Sequence, residues 1–130
     1  CSPCNFRFRF IAYRIYSHIR IYEPNGMSSL AGDADEVFEK AADLFAVLST
    51  PIRIRIISEL CQGEKNVGQI LENIDIAQPN MSQHLNIMYR SGVLGKRRQG
   101  AHMFYRIADE SAVMVCRAVC TQLAIDAAVN

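Results

Sequence analysis

The sequence predicts a mainly α-helical domain with a small β-hairpin wing, an α+β arrangement, and three observations carry that expectation. Apolar residues recur at intervals of three and four through most of the chain after residue 34, the spacing of buried helical faces. Between residues 93 and 107 the period changes to two, with Met103, Tyr105 and Ile107 alternating with Phe104 and Arg106. Pro and Gly stand where helices should begin and end. The expected order is four helices, a two-stranded hairpin and a fifth helix.

With 130 residues, half of them apolar, the chain can bury one core. No stretch is expected to reach the length of a membrane span. The net charge of +1 conceals an uneven distribution. Residues 1–26 hold Arg7, Arg9, Arg14 and Arg20 against Glu23, a net of +3, so the remainder carries about −2. Those first residues alternate Phe with Arg, a composition unlike that of residues 27–130. Met27 opens an ordinary start, so residues 1–26 are expected to be a mis-set start or a non-native extension, with a basic arm following DNA as the rival. Arg and His interrupt any signal-peptide core. Cys1 and Cys4 have redox or zinc spacing but no second pair completes it.

The first helix is expected over residues 34–48, with Val37, Phe38, Ala41, Ala42, Leu44, Phe45 and Leu48 as a wide apolar stripe. Pro51 begins the second, with Thr50 as N-cap and Gly63 beyond its end. Ile52, Ile56, Ile57 and Leu60 form its buried face; Arg53 and Arg55 fall on the exposed side. Val67, Ile70, Leu71 and Ile74 mark a short third helix, joined through Asp75, Ile76 and Ala77 to a fourth. There Pro79 needs no N–H, Met81, Leu85 and Met88 form a narrow inward stripe, and Gly92 closes the end. After the hairpin, Asp109, Glu110 and Ser111 open a last helix that is nearly all apolar and needs a further surface to cover it.

Two short helices with so brief a joint suit a helix-turn-helix, although any αα-hairpin would fit that pattern. The hairpin decides between them. From residue 90 to 106 there are five basic residues and no acid: Arg90, Lys96, Arg97, Arg98 and Arg106. Basic charge at a hairpin directly after a candidate recognition helix is the arrangement of a winged helix-turn-helix. Gln78, Asn80, Ser82, Gln83, His84 and Asn86 carry donors and acceptors suited to base edges. Arg90, Lys96, Arg97, Arg98 and His102 suit the phosphate backbone or minor groove. His84 has an alternative role in packing or in phosphate binding.

These residues resemble the ArsR/SmtB type of bacterial winged-helix repressors. The likeness runs over about residues 34–124 and rests on LSTPIRIRIISEL, GEKNVGQI, QPNMSQHLNIMYRSGVL and RRQGAHMFYRI. It implies a cytoplasmic homodimer, joined through its first and last helices, that binds double-stranded operator DNA and leaves it when an inducer binds. Residues 27–130 would form that DNA-binding and dimerisation domain, with no membrane partner.

Relatives sense metals through a Cys-Val-Cys motif, but Asn66, Val67 and Gly68 stand there. Others use a set on the last helix, where Asp109 remains but Ser111, Gln122 and Ile125 replace the rest. Zinc needs four N, S or O donors, so no metal site or cofactor is expected. A thiol-sensing branch uses two cysteines whose positions here are Ser58 and Ala124. Cys61 lies one turn later and Cys120 one turn earlier, so two thiols still meet if the helices run antiparallel. Cys61, Cys116 and Cys120 are the candidate redox switch; As(III) or Sb(III) capture by Cys116 and Cys120 with Cys61 is the alternative. Buried packing is the third reading of each thiol. An enzyme is not expected, because a Cys nucleophile needs a general base and the domain's histidines, His84 and His102, lie on the DNA-facing elements. A winged-helix module for protein contacts alone would leave the Lys96–Arg98 tip unexplained.

Overall fold

The computed structural model describes residues 27–130, with side chains from residue 35 onward. The expectations for residues 1–26, including Cys1 and Cys4, lie outside the described residues. The chain divides into two units, Cys1–Phe38 and Glu39–Asn130. The described part of the first is the beginning of helix α1 (Met27–Val47), and Val37 and Phe38 are exposed on it. This helix starts seven residues before the predicted residue 34.

The second unit holds the rest. Helix α2 (Pro51–Leu60) begins as expected, with the Thr50 hydroxyl accepting from the Arg53 N–H at 3.4 Å. Strand β1 (Lys65–Asn66) leads into the single-turn helix α3 (Val67–Leu71). Helix α4 (Gln78–Arg90) is succeeded by strands β2 (Leu94–Gln99) and β3 (His102–Ile107), then helix α5 (Glu110–Val129). Gly92 at φ +84° and Gly100 at φ +62° allow the two turns flanking β2.

Two further features differ from the sequence reading. The sheet has three antiparallel strands in the order β1-β3-β2, with Lys65 opposite Tyr105 and Asn66 opposite Phe104. Two residues carry no periodicity, so β1 leaves no pattern in the sequence. Its end is fixed locally: Asn66 accepts from the Gln69 N–H while the Gln69 side chain accepts from the Asn66 N–H, both at 2.9 Å, a reciprocal cap. The second difference is α5, a 20-residue helix with an 18-residue stretch of mean hydropathy 1.6, long and apolar enough to cross a membrane. The expectation that no stretch reaches this length is corrected: Arg117 and Asp126 break the apolar run in sequence but not the helix.

The core gathers Ile56, Ile57 and Leu60 of α2, Ile70 of α3, and Met81, Leu85 and Met88 of α4 with Leu94, Tyr105, Ala112 and Val113. The three α4 side chains are 0% exposed, and such burial contributes about 1.5–3 kcal/mol each. That stripe fixes α4's rotation about its axis. Leu44 packs at the edge of this core, whereas Phe45 stays 57% exposed. On α5 the exposed apolar side chains are Met114, Val119, Leu123, Ile125 and Val129.

Candidate nucleic-acid interface and thiol groove

Helix α4 turns its polar side outward because Met81, Leu85 and Met88 occupy the opposite side. Gln78, Asn80, Ser82, Gln83, Asn86 and Arg90 are all exposed. Ser82, Gln83, Asn86 and Arg90 follow helical spacing and make one continuous face. Thr50, Asn66 and Asp109 cap α2, α3 and α5 with side-chain acceptors, but Ala77 gives α4 none.

His84 departs from this outward group. It is half-buried, and its Nδ1 accepts from Arg53 Nε at 3.3 Å. The same guanidinium donates from Nη1 to the Val47 carbonyl at 2.8 Å. The expectation that Arg53 lies on the exposed side of α2 is corrected: it is half-buried, because this carbonyl at the end of α1 and the imidazole together use its donors. Desolvation, and then the Arg53 charge, push His84 below the usual histidine range. Nothing local in sequence announces a contact between residues 31 apart.

The wing's three consecutive cations meet three different fates, since adjacent strand residues point to opposite faces. Lys96, paired with Tyr105, faces the core side, and its Nζ sits 4.2 Å from the centre of the Tyr89 ring. Arg97 faces the other way, crosses the Phe104 ring at 4.9 Å and bonds Gln99 at 2.8 Å. Its guanidinium also forms an ion pair with Glu64, Nε donating to Oε1 at 2.7 Å. Arg97, expected on the DNA backbone, thus already has a carboxylate partner in Glu64. Arg98 is exposed towards the tip, and His102, also exposed, lies edge-on to Phe104 at 6.5 Å. Arg106, opposite Gly95, lays its guanidinium where a Cβ at Gly95 would stand, 2.8 Å from Cζ.

The three cysteines come together on the other side of α2. A groove of about 200 Å³ runs between α2 and α5. Ile54, Ile57, Ser58 and Cys61 line one wall; Val113, Cys116, Arg117 and Cys120 line the other. Residues 54, 58 and 61, and residues 113, 116, 117 and 120, each follow the spacing of one helical face. Cys61 and Cys120 are exposed, Cys116 is half-buried, and all three are free thiols. Burial, with smaller contributions from Cys120 and Cys61, pushes the Cys116 thiol up.

The polar side chains weighed as metal positions on the last helix are engaged within α5. Asp109 accepts from the Ser111 N–H and caps α5, while Gln122 donates to Asp126 at 2.9 Å. Among the described residues no group of three or more His, Cys, Asp or Glu is arranged to hold a metal ion.

A polar face on the second helix of a helix-turn-helix, with a cationic two-stranded wing directly after it, defines a winged-helix DNA-binding regulator. Known proteins point the same way. Residues 50–96 match the model of the bacterial regulatory protein family arsR. The biofilm growth-associated repressor of Xylella fastidiosa is 33% identical over 94 residues, spanning 69% of this chain and 82% of that protein. The repressor SmtB of Mycobacterium tuberculosis is 34% identical over 74 residues, 57% of this chain and 55% of that protein. The crystal structure of the transcriptional repressor BigR from Xylella fastidiosa superposes with a TM-score of 0.64 at 32% identity, covering 70% of this chain and 93% of that one. The chain belongs to the arsR family of bacterial regulatory proteins, and is a transcriptional repressor of that family.

Proposed function

We propose that this repressor works as a cytoplasmic homodimer whose hold on operator DNA is broken by chemistry at Cys61 and Cys120. The observation that carries the reading is the single groove lined by both thiols together with Cys116. Gln78, Asn80, Ser82, Gln83, His84 and Asn86 read base edges, with Arg90, Lys96, Arg98 and His102 on the backbone. Arg97 contributes less because of Glu64. The partner surface is the apolar exterior of α5 with Phe45 of α1: side chains such as Leu123, 62% exposed, and Val129, 81% exposed, need a cover. A second copy supplies it by symmetry.

The switch balances with an organic persulfide, RS–SH. The Cys120 thiolate attacks the outer sulfur, the RS–S bond breaks, and RS⁻ leaves. The Cys61 thiolate then attacks the Cys120 Sγ of the new Cys120–S–SH group, forming the disulfide and expelling HS⁻. Disulfide closure requires a Cα–Cα separation below about 7 Å. Cys116, held protonated by burial, is the bystander. Thiolate capture of As(III) by Cys116 and Cys120 with Cys61 draws on the same groove and is the alternative reading.

The test is operator affinity of the reduced protein, repeated after polysulfide and after As(III). Binding lost with polysulfide alone, and retained in Cys120→Ser, is the expected result. Loss with As(III) alone moves the sensor to metalloids, and indifference to both removes the three cysteines from the switch.

A further inference from the structure

Arg53 ties α2 to α4, and its two side-chain bonds constrain what His84 can do. Arginine only donates. The bond from Nε at 3.3 Å therefore requires an unprotonated Nδ1 on His84, which leaves the ring's proton on Nε2. The second bond, 2.8 Å to the carbonyl of Val47, anchors the guanidinium to the last residue of α1, where helical carbonyls lack partners. A donor fixed at one end holds the ring at the other. Histidine tautomer is commonly set by the hydrogen bond made at the opposite nitrogen.

We propose that Arg53 is a positioning residue for recognition: it keeps His84 a neutral Nε2–H donor, aimed from α4 at an acceptor on DNA, without touching DNA itself. This rests on the proposed function, in which α4 reads the operator. His84 then contributes one defined donor, whereas a free imidazole would offer either tautomer or a cation.

Long-range ¹H–¹⁵N spectra of the free, reduced protein should show His84 as the Nε2–H tautomer, and Arg53→Met should turn it into a tautomer mixture. The same variant should weaken operator binding roughly three- to tenfold, the scale of one hydrogen bond. Its salt slope should not change, because no phosphate contact is lost. His84→Ala should cost no more in the Arg53→Met background, since both act on one contact. A wild-type ring protonated on Nδ1, or a salt slope lowered by about one in Arg53→Met, overturns the clamp while leaving operator binding standing. A protein that keeps the Nε2–H tautomer yet binds no DNA overturns the proposed function and the recognition role with it.

Discussion

Arg97 on the wing and Glu64 before β1 are joined by an ion pair in which Nε donates to Oε1 at 2.7 Å. The pair spans 33 residues of sequence and ties the outer face of the hairpin to the segment leaving α2. It also divides the wing's cations into neutralised and available charge.

Arg98→Ala should therefore lower the salt slope of operator binding by about one while weakening all DNA sequences alike. Arg97→Ala should change the slope by clearly less, because Glu64 already screens that charge. Titrations of both variants across a salt series check this, and equal slopes would count against the division.

Ser82→Ala or Gln83→Ala should each cost about 1–3 kcal/mol at particular base pairs and nothing at the others. Affinities for a panel of singly substituted operators give the readout. A uniform loss across the panel would reassign these side chains to the backbone.

The core stripe that sets this face gives a stability prediction. Leu85, 0% exposed, should cost about 2–5 kcal/mol when cut to Ala. Thr50→Ala should cost about 1 kcal/mol through loss of the α2 cap. Urea denaturation of the two variants should rank them in that order.

Cys116, raised by burial and by its neighbours Cys120 and Cys61, carries less thiolate at a given pH. Its alkylation by iodoacetamide should be slower than that of Cys61 and Cys120 at neutral pH. The pH midpoint of its rate should lie above that of an ordinary thiol. Peptide mass spectrometry over a pH series resolves the three sites, and Cys116 reacting first would refute the bystander role.

Glu59 lies between Lys65, at 2.7 Å, and Asn73, at 3.0 Å; the Lys65 bond is the larger cause that holds its carboxyl below the usual 4.5. A carboxyl depressed in this way stabilises the fold at pH values above 4.5, and that contribution fades as pH falls through the folded value. Glu59→Gln should therefore be less stable than wild type at about pH 7, and the gap should close as pH falls below the folded value. A gap that persists at low pH would mean packing, not charge, is lost.

The parts legible in sequence are those set by local rules. Pro51 and Thr50, Gly92 and Gly100, and the Met81, Leu85 and Met88 stripe each depend on a few neighbouring residues, and the structure honours them. Cys116 and Cys120 share a face by spacing alone, and Cys61 joins them because α2 and α5 pack together. The features that escape a sequence reading are long-range or very short. Arg53 finds His84 and Arg97 finds Glu64 only after folding. Strand β1 is two residues whose identity as a strand exists only opposite Tyr105 and Phe104.

Helix α2 lines the thiol groove with Ile57 and Cys61 and holds α4 through Arg53. The eight helical steps from Arg53 to Cys61 span about 12 Å of axis, short enough to move as one piece. Linkage through such a body runs in both directions. In the proposed switch, whatever free energy a closed dithiol subtracts from DNA affinity, bound DNA subtracts from dithiol closure. A repressor seated on its operator would then be harder to oxidise than the same protein free in solution. The unbound pool would respond first, and operators would empty mainly by failing to be refilled.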